Sequence, residues 1–458
     1  MSVQGVVTTG IYCVPSCSAR PLAAHVVPYR SPAEAEAAGF RACLRCRPHR
    51  HAPDAATGPE LVCRAVHLIT EGALDGRPEA DLATALGVSV RHLRRLFVEH
   101  VGTTPDQLAR SHRAHFARRL LEDTDLRVTD VAWASGFGSL RQLNRASQQV
   151  FHAPPTELRA RRRRGDPLAG DGGLVLRLPY NGALEWDAML DYFATRAIRG
   201  VEHVDGGTYR RMIEVDDLPG VLELSRGEEG HLHLRAHLAD VRGLIHIVER
   251  ARSIFALDRD PAEANARLVG DPLFTAVVAA RPGVRVPGTW DPHETGVRAI
   301  VGQQVSVRGA STVTARIVER AGRRVPGFED LGLTHTFPDA ATLSQADLSG
   351  IGMPGARALA IKAFAAAVDK GDIPIDGRLA LEDLIPAITA VPGLGPWTAS
   401  YLALRMGERD AFPVADLGLR RAAGADGAAI TTAALAERAE RWRPQRAAAA
   451  VRLWMSLS

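Results

Sequence analysis

Four of the chain's five cysteines sit in two tight pairs, Cys13-x3-Cys17 in "GIYCVPSCSAR" and Cys43-x2-Cys46 in "ACLRCRP". A stretch of roughly fifty residues buries too little apolar surface to hold a fold unaided, so these thiols decide what it becomes. The chain opens without the basic start and apolar core of a secretory signal, and no uncharged apolar run is long enough to span a bilayer. We therefore expect a cytoplasmic protein with no membrane partner, where structural disulfides are rare. That leaves a metal. Two thiolates from each of two turns reach one tetrahedral ion, which predicts a single Zn2+ held by Cys13, Cys17, Cys43 and Cys46. Cys63 differs: it lies in the apolar helical stretch "LVCRAVHLI" and is expected as a buried free thiol.

Punctuation along the rest of the chain predicts four domains, residues 1–52, 59–165, 172–240 and 241–458. The Pro- and His-rich "RPHRHAPDAATGP" closes the first. The second is helical and ends in "RARRRRG", a candidate DNA contact or a solvated helix end, and "DPLAGDGG" reads as a linker. Alternation in "LVLRLP", "GVLELS" and "HLHLRAHL" predicts strands of a small sheet, with His231, His233 and His237 on a solvated strand face. The last domain is helical, alanine-rich and broken by Gly/Pro turns. The expected class is thus mainly α and multidomain, with a small four-cysteine zinc module and a small β-sheet domain. Net charge is only +4, yet arginine supplies nearly all the positive charge, Lys362 and Lys370 being the only lysines, which leaves nucleic acid open as a partner.

Within the second domain one plan occurs twice. "DLATALGVSVRHLRRLF" reads as helix, turn at Gly87 and a helix capped by Ser89; "VTDVAWASGFGSLRQLNRASQQVF" repeats it with Gly136 and Ser139. This is tandem helix-turn-helix spacing. It offers Arg91, Arg94 and Arg95, then Arg141, Gln142 and Arg145, to DNA grooves. In the last domain "VPGLGPWTASYLALRM" reads as a Gly393-Leu394-Gly395 turn opening a helix at Pro396, a helix-hairpin-helix in which Gly393, Gly395 and Thr398 are candidate DNA-backbone contacts. The G-x-G-x-x-G at Gly350, Gly352 and Gly355 follows no strand and predicts a helix-linking turn, not a nucleotide cofactor site.

Two resemblances sharpen this reading. "TTGIYCVPSCSARP" and "AAGFRACLRCRP", followed by a tandem helix-turn-helix ending in "FHAPPTELR", resemble the Ada family's zinc domain and its AraC-type DNA-binding domain. The resemblance implies that Cys13 is both ligand and sacrificial acceptor of a methyl group from a DNA phosphotriester. It also implies that Arg20 contacts phosphate, and that the methylated protein activates transcription at promoter DNA, with RNA polymerase as a candidate partner. Two departures carry expectations. Only "MSVQGVV" precedes "TTGIYC", which predicts a missing leading strand in the small sheet. Ser147 stands where an aromatic core residue is usual, which predicts a loosely seated second recognition helix.

From Leu174 on, "RAIVGQQVS", "VPGLGPWTASYLALR" and "FPVADLGLRR" together resemble the AlkA-type 3-methyladenine DNA glycosylases. That likeness implies Asp416 as the essential carboxylate and Trp397, Tyr401 and Trp454 as walls of a pocket for a cationic purine flipped from double-stranded DNA. No lysine follows Lys370, so a Schiff-base lyase is not expected, and no cysteine follows Cys63, so neither an iron–sulfur cluster nor a cysteine-based guanine methyltransferase is expected. The overall expectation is a monomeric regulator joined to a monofunctional glycosylase. Two alternatives remain open: a regulator with a non-catalytic C-terminal scaffold, and a glycosylase with a purely structural zinc module.

Overall fold

The computed structural model describes residues 2–19, 21–51, 58–163, 165–166, 168, 173–424 and 427–457. Arg20 and most of the "DPLAGDGG" segment lie outside the described residues. The chain divides into two compact units: residues 1–180 with 231–251, and residues 181–230 with 252–458.

The first unit begins with a four-stranded sheet, β1 (Val3–Val6), β2 (Ile11–Cys13), β3 (Val26–Tyr29) and β4 (Arg41–Ala42), in the order β3-β1-β2-β4. The expectation of a missing leading strand is therefore corrected. "VQGV" is itself a strand, pairing antiparallel with both β2 and β3. Gly5 permits this, because a Cβ there would come within 2.6 Å of the Tyr29 ring. Helix Pro32–Ala37, capped by Ser31, packs on this sheet.

Helices follow at Glu60–Thr70, Glu79–Ala85, Val90–His100, Pro105–Asp123, Val128–Ala134, Leu140–Phe151 and Pro155–Ala160. Both predicted turns are tight and left-handed at Gly87 (φ 69) and Gly136 (φ 75), where only glycine is unstrained. Ser89 and Ser139 cap the helices that follow by accepting from His92 N and Gln142 N. Pro105–Asp123 is the hub, opened by a Thr104–Gln107 capping box and burying Phe116, Leu120 and Leu121. The second recognition helix is not loose. Ser147 is buried and donates to Ala153 O at 2.6 Å, while Leu143, Val150 and Phe151 supply the apolar contacts. Cys63 is only half-buried, on the rim of its helix, contrary to expectation.

Charge ties the cysteine module to the hub. Arg47 bonds Asp166 at 2.7 and 2.8 Å, and His49 Nε2 and Arg50 Nε meet Glu122 at 3.0 Å. Burial and the Arg118 guanidinium hold His49 well below the ordinary imidazole range, despite Glu122. The sign of the linkage is fixed: the unfolded imidazole takes a proton as pH falls through about 6.5 and the folded one does not, so stability drops on acidification. Lowering the pH from 7.5 to 5.5 is expected to cost the wild type about 1 kcal/mol more than a His49→Asn variant, read from denaturant unfolding of the two proteins. β5 (Leu174–Pro179) and β9 (His231–Leu238) pair antiparallel in this unit, apart from the β1–β4 sheet, with the three histidines half-buried beside buried Leu232, Leu234 and Ala236.

The second unit carries a meander of β6 (Glu202–Asp205), β7 (Thr208–Val215) and β8 (Leu218–Arg226). Its hairpins turn on two-residue loops with both residues at positive φ, Gly206-Gly207 and Asp216-Asp217. Sequence reading found β8 but not β6 or β7: β6 is four residues, EHVD, with a single apolar side chain, and in β7 Arg210 and Arg211 interrupt the apolar alternation, though Arg211 is in fact buried against Glu294 at 2.8 Å. Three of the helices after the meander open on Asp-Pro. Asp260, Asp271 and Asp291 cap helices that begin at Pro261, Pro272 and Pro292. Phe274, Ile300, Phe364, Leu402 and Trp442 are central to the core. Gly350 and Gly352 lie in left-handed turns before helix Gly355–Asp369, as expected of a helix link.

Candidate metal centre and active site

The parallel pairing of β2 with β4 sets Tyr12 beside Ala42, so the chain leaves both strands into adjacent cysteine turns. The four sulfurs of Cys13, Cys17, Cys43 and Cys46 lie within 4.8 Å of one another. Cys13 and Cys43 are buried, while Cys17 and Cys46 are half-exposed. Burial and the neighbouring thiols push Cys13 well above the ordinary thiol range. Burial likewise raises Cys46 to about 12, whereas N–H groups of Cys46 and Arg45 draw Cys43 below that range against its own burial. Alone, the cluster holds little negative charge. A divalent cation is what allows four thiolates to coexist there, and an all-sulfur tetrahedral donor set fits zinc.

In the helix-turn-helix segments, Arg91, Arg94 and Arg95 are exposed on helix Val90–His100, and Arg141, Gln142 and Arg145 on helix Leu140–Phe151. Three are already engaged: Arg94 bonds Glu79 at 2.5 Å, Arg95 Nη2 meets His92 Nδ1 at 3.1 Å, and the Gln142 carbonyl accepts from Gly138 N at 2.8 Å. The arginine run is partly paired as well, Arg162 with Asp125 and Arg161 with Glu157.

In the second unit the predicted hairpin leads from Gly393 into helix Pro396–Arg405. Gly393 holds φ 88, and a Cβ there would lie 2.7 Å from Ala360 Cβ. Gly393→Ala is expected to destabilise the protein by about 1–3 kcal/mol and to weaken binding to undamaged duplex, measured by thermal unfolding and by fluorescence anisotropy. The Thr398 side chain is buried and its Oγ accepts from Gln303 Nε2 at 3.0 Å, so it braces the hairpin from inside and is not placed to touch DNA. Sequence reading missed Gln303 as this brace.

Asp416 caps helix Leu417–Ala422 by accepting from Leu419 N at 2.9 Å. Its carboxylate does more than cap. Trp397 Nε1 donates to Oδ2 at 2.9 Å and Trp454 Nε1 to Oδ1 at 3.0 Å. Tyr401 stacks on Trp397 (centroids 5.5 Å apart, planes 8° apart) and meets Trp454 edge-on at 6.1 Å. All four side chains are only partly covered, unlike the core tryptophans Trp186, Trp290 and Trp442. The arrangement is a fixed negative charge held beside a partly exposed, electron-rich aromatic cluster. Behind it Arg405 donates to Tyr401 Oη and Tyr192 Oη, both at 3.0 Å, another feature that sequence reading missed. Burial pushes the Tyr401 phenol up, but the Arg405 charge and a hydrogen bond with Tyr192 outweigh it and bring Tyr401 down to about 8.

Four family models match: the metal binding domain of Ada at residues 2–49, a helix-turn-helix domain at 82–161, the AlkA N-terminal domain at 175–291, and the HhH-GPD superfamily base excision DNA repair protein at 297–444. The "Probable bifunctional transcriptional activator/DNA repair enzyme AlkA" of Mycobacterium tuberculosis is 38% identical over 99% of this chain and 92% of its own length. The chain belongs to this family. Its C-terminal portion is similar to DNA-3-methyladenine glycosylase 2 of Escherichia coli, at 33% identity over 59% of this chain and 93% of that protein. The fold of that portion is shared with the 3-methyladenine DNA-glycosylase of Archaeoglobus fulgidus, at TM-score 0.55 and 22% identity over 61% of this chain and 97% of that one. The family models thus bear out both resemblances, zinc and helix-turn-helix in front and glycosylase behind. Among the described residues no helix is long and apolar enough to cross a membrane.

Proposed function

We propose that the chain both repairs alkylated DNA and regulates the response to it, from a monomer in the cytoplasm acting on double-stranded DNA. The four expected domains, 1–52, 59–165, 172–240 and 241–458, are its functional segments. The observation that carries the repair reading is the Asp416 carboxylate gripped by two indoles beside a partly exposed aromatic cluster. In the reaction, a purine carrying a positive charge from alkylation is flipped out and stacks against Trp397, Tyr401 and Trp454. The glycosidic C–N bond breaks with its electron pair leaving on the purine. Asp416 stabilises the positive charge growing on the sugar and orients the water that completes hydrolysis. The hairpin at Gly393 and Gly395 holds the backbone.

In front, Cys13, Cys17, Cys43 and Cys46 would hold Zn2+, which keeps the sulfurs as thiolates at neutral pH. The site would then carry two net negative charges, which repel ordinary phosphates but not a neutral methyl phosphotriester. Cys13 Sγ attacks the methyl carbon; the S–C bond forms as the C–O bond breaks, and that pair stays on the phosphate oxygen. Losing one negative charge raises affinity for promoter DNA, which the exposed arginines of the two recognition helices and Arg20 engage. RNA polymerase is the expected partner of the activated form. A second reading, in which the zinc is purely structural, draws on the burial of Cys13. DNA carrying labelled methyl groups, mixed with zinc-loaded protein, separates the readings. Label both as free base and on protein supports the dual role, free base alone leaves the structural module, bound methyl alone leaves a regulator with an inactive scaffold, and neither overturns the proposal.

A further inference from the structure

The candidate cleft is built on a single cation that faces away from it. Arg405 ends the helix that carries Trp397 and Tyr401, one turn beyond Tyr401. Its guanidinium is fully engaged: Nε donates to Pro287 O at 2.7 Å, Nη2 to Gly288 O at 2.6 Å, and Nη1 to both tyrosine hydroxyls. Tyr192, from helix Trp186–Ala194, closes the arrangement from the other side, with Arg196 stacked 3.9 Å over its ring. A tyrosine on the wall of a half-open cleft would ordinarily swing between rotamers. Here both ends are fixed, the ring by Trp397 and the hydroxyl by Arg405.

We propose that Arg405, braced by Tyr192, is a positioning residue for base recognition, holding the Tyr401 ring in register on Trp397 so that an extruded purine meets a preformed stack. The inference rests on the base-pocket reading of the cleft. Its physical content is preorganisation: a wall already ordered loses no freedom when the base arrives, so removing the brace acts on binding more than on bond cleavage. Lysine is a poor replacement, since one ammonium cannot serve two carbonyls and two phenols in a planar fork. The charged and titratable groups around Tyr401 Oη are Arg405, Tyr192 and Arg196, with Asp416 across the stack, so the phenol pair reports directly on the brace.

Single-turnover release of 7-methylguanine from a duplex carrying one such base tests this, in full-length Arg405→Met, Arg405→Lys and Tyr192→Phe proteins. For Arg405→Met the half-saturating enzyme concentration is expected to rise about tenfold while the rate at saturation changes less than threefold. Arg405→Lys should recover less than half of the loss. Tyr192→Phe, which keeps both carbonyl contacts and so guards against misfolding, should show a rise of about two- to threefold. Ultraviolet titration reports on the brace itself: a tyrosinate step near pH 8 in the wild type, shifted above the ordinary tyrosine value of about 10 in Arg405→Met, where the burial of the phenol is no longer opposed by that charge. Folded Arg405→Met with wild-type half-saturation overturns the proposal, wherever the tyrosinate step lies. If that variant does not fold, unchanged half-saturation in Tyr192→Phe overturns it instead. Wild-type protein that releases no base overturns the reading on which it rests.

Discussion

An Asp416→Asn protein is expected to release free methylated purine about a hundred- to a thousandfold more slowly than wild type at saturating enzyme, while remaining folded. The substitution is nearly isosteric, and asparagine is as good a helix N-cap as aspartate, so Leu419 N keeps an acceptor. What changes is the second oxygen. With Oδ1 kept for Leu419 N and Trp454 Nε1, the amide NH2 replaces Oδ2, which accepts from Trp397 Nε1 at 2.9 Å, so Trp397 faces a donor and is left unpaired. That costs about 1–3 kcal/mol and is visible as a lowered melting temperature, a loss that a folded domain of this size tolerates. The rate loss has a different origin. The amide carries no charge, so nothing opposes the positive charge that builds on the sugar as the bond breaks. Binding to a duplex containing an abasic-site analogue should change far less than the rate, because the hairpin and the aromatic walls remain. A variant that bound normally and cleaved at the wild-type rate would reduce Asp416 to a cap, and would turn the C-terminal half into a scaffold.

The cap and the catalytic candidate are the same residue, which shows how far sequence reading reached. The likeness carried by "FPVADLGLRR" and "VPGLGPWTASYLALR" singles out Asp416, and the four-residue spacing of Trp397 and Tyr401 is that of one helix face. Neither pattern brought Trp454, 38 residues later in the chain, to the same carboxylate; that contact is tertiary and only the fold supplies it. Arg405 was invisible for the same reason, since an arginine at a helix C-terminus ordinarily reads as a solvated partner of the helix dipole. Its partners, Tyr192, Pro287 and Gly288, are more than a hundred residues away. The front half was more legible, because metal-ligand spacing and cap-turn-cap patterns are local. Where reading failed there, it failed on residues whose polarity misled. The few residues before "TTGIYC" pointed to a missing strand, yet "VQGV" forms one, with Gly5 as the gap that admits Tyr29 and Phe40. Ser147 looked like a hole in a core, yet its hydroxyl finds a backbone carbonyl, which is how a small polar residue becomes compatible with burial. In the second unit Arg211 hid β7, because buried charge is rare unless paired, and its pair Glu294 is supplied by the fold, not by the local sequence.

Cys13→Ala is expected to abolish protein-bound methyl, from close to one per chain in the wild type to background, and to leave base release within about threefold of wild type. The two halves of that expectation rest on different physics. Methyl uptake needs a thiolate as nucleophile, and alanine offers none; Cys17, Cys43 and Cys46 remain but do not occupy the end of β2, where Cys13 sits beside the backbone of Gln4. In the proposed reaction base release depends on Asp416 and the aromatic residues, none of which the substitution touches. Zinc content should fall too, because three thiolates hold the ion less well than four, and unfolding of the first unit should become sensitive to a chelator at concentrations that leave the wild type intact. Chemistry and metal retention are then separated by Cys13→Ser, which is expected to lose methyl uptake as fully while losing less zinc. A charge measurement completes the argument. If transfer removes one negative charge, methylated wild type should bind its promoter DNA more tightly than the unmodified protein, the gain being largest at low salt and shrinking as salt rises. A methylated protein whose affinity did not move at any salt would mean that the transferred group is read by shape and not by charge. Wild type that took up no methyl at all, with one zinc per chain, would leave the module as a metal-stabilised platform for the helix-turn-helix segments.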